Sequence, residues 1–180
     1  MSKFEKALEH VFFVEGGYSD HPDDKGGETK YGITEKTYNS YVRNSCTRDV
    51  WPVLKDIDKR LVYRIYQSMY WDKVRGDELP PGVALMVFDS AVHAGPLRAR
   101  TWLQRALGVN PDGIIGPITL AAANRTNRSS KFHEPFRIVK EIAKYRLMLG
   151  RKNDTFAKGW FNRIIHILGE SFNDIFNEMV

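Results

Sequence analysis

Between Lys3 and Glu15 the apolar positions Phe4, Ala7, Leu8, Val11 and Phe12 recur at intervals of three and four, the spacing of one helix face. The pattern predicts an amphipathic helix over residues 3–15, ended by Gly16-Gly17. At about 100° per residue Glu15 falls in the middle of this stripe, in phase with Leu8 and Val11, so a carboxylate is carried on a face built for burial. From Tyr18 to Ile33 the helical period disappears. Pro22, Asp23, Asp24, Gly26 and Gly27 are turn formers, and Thr29, Tyr31 and Ile33 alternate with Glu28 and Lys30, which predicts a small hairpin or irregular β loop.

Beyond Thr34, a natural N-cap, the period returns to that of helices, with segments over residues 35–44, 51–56, 58–71, 81–93, 96–107, 117–126, 135–150 and 155–177. Pro52, Pro96, Pro117 and Pro135 each suit a first helical turn, where the missing N–H costs nothing. The turn-rich run from Val109 to Pro117 marks an internal boundary near Gly108, and the basic polar stretch from Asn124 to Ser130 is a second candidate linker. The expected fold is therefore mainly α with one small β hairpin.

Composition narrows the chemistry. The 180 residues are 42% hydrophobic, enough to fill a core, and the net charge of +5 suits an anionic partner. Cys46 is the only cysteine, which excludes an internal disulfide, a thiolate metal cluster and a CxxC redox site. Charges recur through Met1–His10, unlike a signal peptide, and no run reaches the roughly 18 apolar residues of a membrane span. The expectation is a chain made in the bacterial cytoplasm that reaches any outside substrate through another component, without stable membrane insertion.

Apolar surroundings disfavour an ionised carboxyl, so Glu15 has the placement of an acid that stays protonated near neutral pH. Asp24 follows nine positions later in a polar loop where a carboxylate would remain ionised, and the Thr29 hydroxyl could hold a water. That set fits the two-group demand of glycoside hydrolysis. Taken singly, each residue has a plainer reading: Glu15 as a helix-end glutamate, Asp23 and Asp24 as turn formers, Thr29 as a strand residue.

The run EGGYSDHPDDKGGETKYGIT, Glu15 to Thr34, resembles the signature of the glycoside hydrolase family 108 muramidases, which include phage endolysins. The resemblance implies a lysozyme-like α+β fold, with the hairpin next to the catalytic helix and a helical C-terminal part. It makes Glu15 the catalytic acid. The order Glu15, Asp24, Thr29 is also similar to the triad of phage lysozymes, but only four residues separate Asp24 from Thr29 where those enzymes have five. Asp20 and Asp23 therefore remain rivals to Asp24.

Tyr70-Trp71 and the run from Phe88 to Gly95 resemble two further motifs of the family, the second with His93 where Asn is common. The segment Asp112-Gly113-Ile114-Ile115-Gly116-Pro117-Ile118-Thr119 resembles the DGxxGxxT signature of attached peptidoglycan-binding modules. The resemblance thus implies a catalytic region over residues 1–95 and a peptidoglycan-binding region over 96–180 packed on it. Tyr18, Asp20, Asp23, Tyr31, Tyr70, Trp71 and His93 become the candidate substrate-binding residues, with the tyrosines and Trp71 as sugar platforms.

The implied activity is cleavage of the β-1,4 bond between N-acetylmuramic acid and N-acetylglucosamine, for phage-type lysis or for opening the wall to let a secreted protein out. The partners are glycan strands and their peptide stems, and a monomer without cofactor is expected. The five histidines lack an HExxH or other metal spacing, so no metal is expected. Ser90 and Ser171 lack a nucleophile elbow. Trp51, Trp102 and Trp160 read as packing, and the Arg98, Arg100 and Arg105 group as a wall-binding or merely solvated face. A non-catalytic wall-binding adaptor is the alternative; a nucleic-acid binder has no motif behind it.

Overall fold

The computed structural model describes residues 1–15, 29–45, 51–128, 134–150 and 157–179, and among them the chain is built of helices and connecting loops with one short hairpin. The α-helices are α1 (Lys3–Glu15), α2 (Glu35–Asn44), α3 (Lys59–Tyr66), α4 (Pro81–Ala94), α5 (Pro96–Leu107), α6 (Pro117–Arg128), α7 (Glu134–Gly150) and α8 (Ala157–Met179). Strands β1 (Thr29–Lys30) and β2 (Ile33–Thr34) pair antiparallel, with Thr29 opposite Thr34 and Lys30 opposite Ile33. This is the mainly α, lysozyme-like architecture expected from the sequence.

Local chemistry sets most boundaries. The Thr34 hydroxyl accepts from the Thr37 N–H at 3.3 Å to cap α2, and the Asp58 carboxylate accepts from the Leu61 N–H at 2.8 Å to cap α3. Pro81, Pro96 and Pro117 each open a helix, and Gly108 closes α5 in the left-handed region at φ 72°. Two segments differ from the sequence pattern. Only a 3₁₀ turn at Leu54–Asp56 forms where a helix over 51–56 is expected, because Pro52 leaves too few residues before Ile57 turns extended. The 58–71 segment is α3 continued by a wider π turn at Gln67–Trp71.

At the centre lies α4. Its residues from Gly82 to Ala91 are all buried, as expected of a helix apolar on every side. Helices α5, α7, α8 and α1 pack around it. The seam with α8 is tight enough that a Cβ at Gly82 would run into the Ser171 carbonyl and Ile175. The predicted stripe of α1 (Phe4, Ala7, Leu8, Val11) is buried against this assembly. One continuous apolar cluster runs from Phe4 to Ile175, so the two halves of the chain share a core.

Asp89 is fully buried on α4 between Arg146 of α7 and Arg163 of α8, and the Arg163 Nε donates to Asp89 Oδ1 at 2.9 Å. Burial works against the charged carboxyl, but the two guanidinium groups overcome it and hold Asp89 below the usual carboxylate range. This triad ties three helices together through one carboxylate.

Candidate active site and the adjoining groove

Three aromatic residues assemble the region where α1 ends. Phe12 lies 5.5 Å from Tyr66 and 6.3 Å from Tyr31, centroid to centroid. The Tyr66 hydroxyl donates to the Tyr31 carbonyl at 2.8 Å. These contacts fix the last described turn of α1, the hairpin tip and α3 to one another. Glu15 ends α1, three residues past Phe12, and Thr29 opens β1 opposite the N-cap of α2. The backbone of both residues is described but not their side chains, and Tyr18, Asp20, Asp23 and Asp24 lie outside the described residues.

The hairpin turn consists of Tyr31 and Gly32, both at positive φ (51° and 74°), the conformation of a tight two-residue hairpin turn. Tyr31 is therefore a turn residue rather than an alternating strand residue. Its left-handed backbone is held by the Tyr66 hydroxyl and by packing on Phe12.

Next to this junction a groove of about 1090 Å³ opens between α2, the π turn and the α4–α5 corner. Tyr70, half-buried and 5.7 Å from Tyr66, connects the two. Tyr41 faces the same groove and packs edge-on against Trp51 at 5.6 Å. Gly95, at φ 90°, makes the sharp corner between α4 and α5 that forms one wall.

Trp71 corrects an expectation. Its indole is fully buried, 5.3 Å from Phe4 and 5.4 Å from Phe88, and Gly76 is packed so closely on the ring that no larger residue fits. It belongs to the core and cannot stack on a sugar. The adjacent Tyr70 lines the groove instead.

His93 is half-buried in the last turn of α4, four residues beyond Asp89. Burial, and then the positive charges of Arg146 and Arg163, push its pKa down to about 4, so the imidazole is neutral at physiological pH. It is a neutral hydrogen-bonding group beside the triad and not a cation for substrate. The arginines of α5 do not form one face: Arg98 is exposed, Arg105 lies over the Tyr145 ring at 5.9 Å, and Arg100 turns into the groove.

In the second half, Gln104 of α5 organises the Asp112–Thr119 segment. Its Nε2 donates to Asp112 Oδ1 at 2.7 Å and to the Ile114 carbonyl at 3.0 Å, while its Oε1 accepts from the Gly113 N–H at 2.7 Å. The Gln104 bond, with the Ile114 N–H, holds the Asp112 carboxyl below its usual range. Gly113 takes φ 77°, and a Cβ there would meet Leu97. Arg75, itself left-handed at φ 52°, grips Glu78 and donates to the Ile115 carbonyl at 2.8 Å, which fastens this loop to the first half.

Among the described residues, His10, His166 and Glu170 are the group best placed to hold a cation, with ligand atoms within 4.8 Å of one another on the α1–α8 seam. None of the three lines the groove.

Comparison with known families places the glycosyl hydrolase 108 model on residues 8–95 and a predicted peptidoglycan domain on residues 98–165. Among solved structures the chain is similar to Brucella abortus SagA, with a TM-score of 0.79 and 38% identity over 94% of each chain. No curated protein matches.

Proposed function

The chain belongs to the glycosyl hydrolase 108 family and is a peptidoglycan hydrolase, and from that premise we propose that it is a muramidase with Glu15 as its general acid. The bond cut is the β-1,4 linkage between N-acetylmuramic acid and N-acetylglucosamine. The supporting observation is the junction of α1 with the hairpin: Phe12, Tyr31 and Tyr66 make an apolar setting at the helix end that carries Glu15.

The general acid of this reaction keeps its proton near neutral pH and delivers it to the departing glycosidic oxygen. The second requirement is a group that stabilises the oxocarbenium charge or activates water. Asp24 takes this role, with Asp20 and Asp23 as rivals on the same loop, and Thr29 orients the water. Tyr31 and Tyr70 flank the sugar path. The second half, with its Gln104-braced loop, holds the wall while the first half cuts. The substrate is periplasmic peptidoglycan, and the same cut serves phage-type lysis or passage of a secreted protein.

Glu15→Gln removes the proton donor with little change of shape. It is expected to lower reducing-end release from purified sacculi by roughly 10²- to 10⁴-fold with an unchanged melting temperature. Mass spectrometry of the wild-type products should show reducing muramic acid ends; anhydro ends would mean a lytic transglycosylase instead. A Glu15→Gln protein that retains most of its activity would overturn the assignment.

A further inference from the structure

We infer that the groove beside the active site is a receptor for the acidic peptide stems of the wall polymer, with Arg100, Lys73 and Lys36 pairing with their carboxylates. The inference rests on the proposed function for its substrate and goes beyond it in assigning the stems a receptor site and the residues that read them.

The first observation is a charge imbalance. Arg100, Lys73 and Lys36 all line the groove, and among the described residues no aspartate or glutamate lines it. Asp72 attracts Lys73 from outside but does not line the groove. On a protein surface, cations usually alternate with acids, since like charges facing one cavity repel. Three cations without an acid form a positive basin that an anion would neutralise.

The second observation concerns Arg100 by itself. Its Nε is buried and has no hydrogen-bond partner among the described residues. A buried donor left unpaired carries a desolvation cost, so such groups are scarce in native proteins and call for an explanation. A carboxylate in the groove supplies one, because a guanidinium edge receives its two oxygens through paired N–H donors. A lysine could not satisfy that geometry.

The groove's size and continuity then identify the anion. At about 1090 Å³ it exceeds what a single small anion needs and suits a short peptide. Its walls include apolar Met69, Val92, Pro96 and Leu97, which would bury aliphatic stem residues. It runs into the active-site junction through Tyr70, Tyr66 and Tyr31. A glycan strand lying in the active site carries its peptides on the lactyl groups of muramic acid, next to the bond to be cut. In a stem-bearing strand the lactyl carboxyl is taken up in an amide and the sugars are uncharged, so they have no use for three cations, whereas the stem peptides carry free carboxylates. The structure therefore assigns Arg100 and Lys73 a role in substrate selection.

The test separates binding from cleavage. Glu15→Gln protein is titrated calorimetrically with a disaccharide-tetrapeptide muropeptide and with the same disaccharide whose lactyl carboxyl is capped as a simple amide. The peptide-bearing ligand should bind at least about tenfold more tightly, and adding Arg100→Gln with Lys73→Gln should erase that difference while leaving disaccharide affinity unchanged. Arg100→Lys, which keeps the charge but loses the fork, should recover only part of it. Equal affinity for the two ligands would overturn the inference, as would double-variant affinities matching the parent, or tighter binding of an oligonucleotide than of the muropeptide.

In the cleavage arm, wild type should digest intact sacculi faster than amidase-stripped glycan. Release of no reducing ends from either substrate would refute the muramidase reading, while the calorimetric result would still judge the groove.

Discussion

Two sets of charges lie close together around α4, and they are opposite in kind. In the core, one carboxylate, Asp89, serves two guanidinium groups, Arg146 and Arg163, and all three side chains are sealed from water. In the groove between α2, the π turn and the α4–α5 corner, three cations line an open space with no carboxylate among the described lining residues. Burying the first set is tolerable only because the charges neutralise one another with good geometry. The second set lines an open groove, and within it the buried Arg100 Nε has no partner among the described residues. The difference teaches which charges hold the molecule together and which are kept for something outside it.

The largest effect should come from breaking the closed set. Asp89→Ala leaves two buried guanidinium groups without their anion, and unfolding in urea should show a loss of about 3–5 kcal/mol. Replacing all three charges with apolar residues of similar volume should recover most of it, since the lone charges and not the lost ion pairs cause the damage. If Asp89→Ala costs less than about 1 kcal/mol, the triad is not a structural lock and the contrast with the groove fails.

A middle-sized effect is expected from His93, which feels the closed set without belonging to it. Its folded pKa is depressed to about 4 from 6.5, first by burial and then by Arg146 and Arg163. The unfolded chain therefore binds a proton between pH 6.5 and about 4 that the folded protein refuses, and stability must fall as pH drops through that window. With solvent screening of a half-buried ring, the loss should be on the order of 1–2 kcal/mol. His93→Gln should flatten the wild-type slope of stability against pH between 4.5 and 7. A slope unaltered in His93→Gln would show that neither burial nor the arginines' field depresses the ring's pKa.

How far these features could be read from the chain depends on sequence separation. The helices were legible because their cues are local: the three-four period of α1, Thr34 before α2, and the prolines that open α5 and α6. The helical phase of Glu15 is equally local. The triad was not legible, because Asp89 meets residues 57 and 74 positions away, and the apolar run around it marks burial without naming its partners. Trp71 reads as a sugar platform because the Tyr70-Trp71 pair resembles a family motif, yet only the tertiary placement of Phe4, Phe88 and Gly76 around it decides that it is core. The groove was hidden for the same reason, since Lys36, Lys73 and Arg100 come from separate elements. Arg100 looked like one of three similar arginines on α5 until the fold turned it away from the other two.

The smallest predicted effect is the sharpest statement of the contrast. Arg100 holds a buried, unpartnered Nε and shares its groove with two other cations, so in the free protein it relieves no strain and satisfies no anion. Arg100→Met keeps the aliphatic stem that packs on the wall and removes only the charge and the orphaned donor. Stability should therefore change by no more than about 0.5 kcal/mol, with a rise as the expected direction. If repulsion within the groove is the cause, the rise should be greatest at low ionic strength and fade near 1 M salt, where the screening length drops to about 3 Å. A loss comparable to that of Asp89→Ala would mean that Arg100 is anchored within the protein after all, leaving the groove without its spare donor.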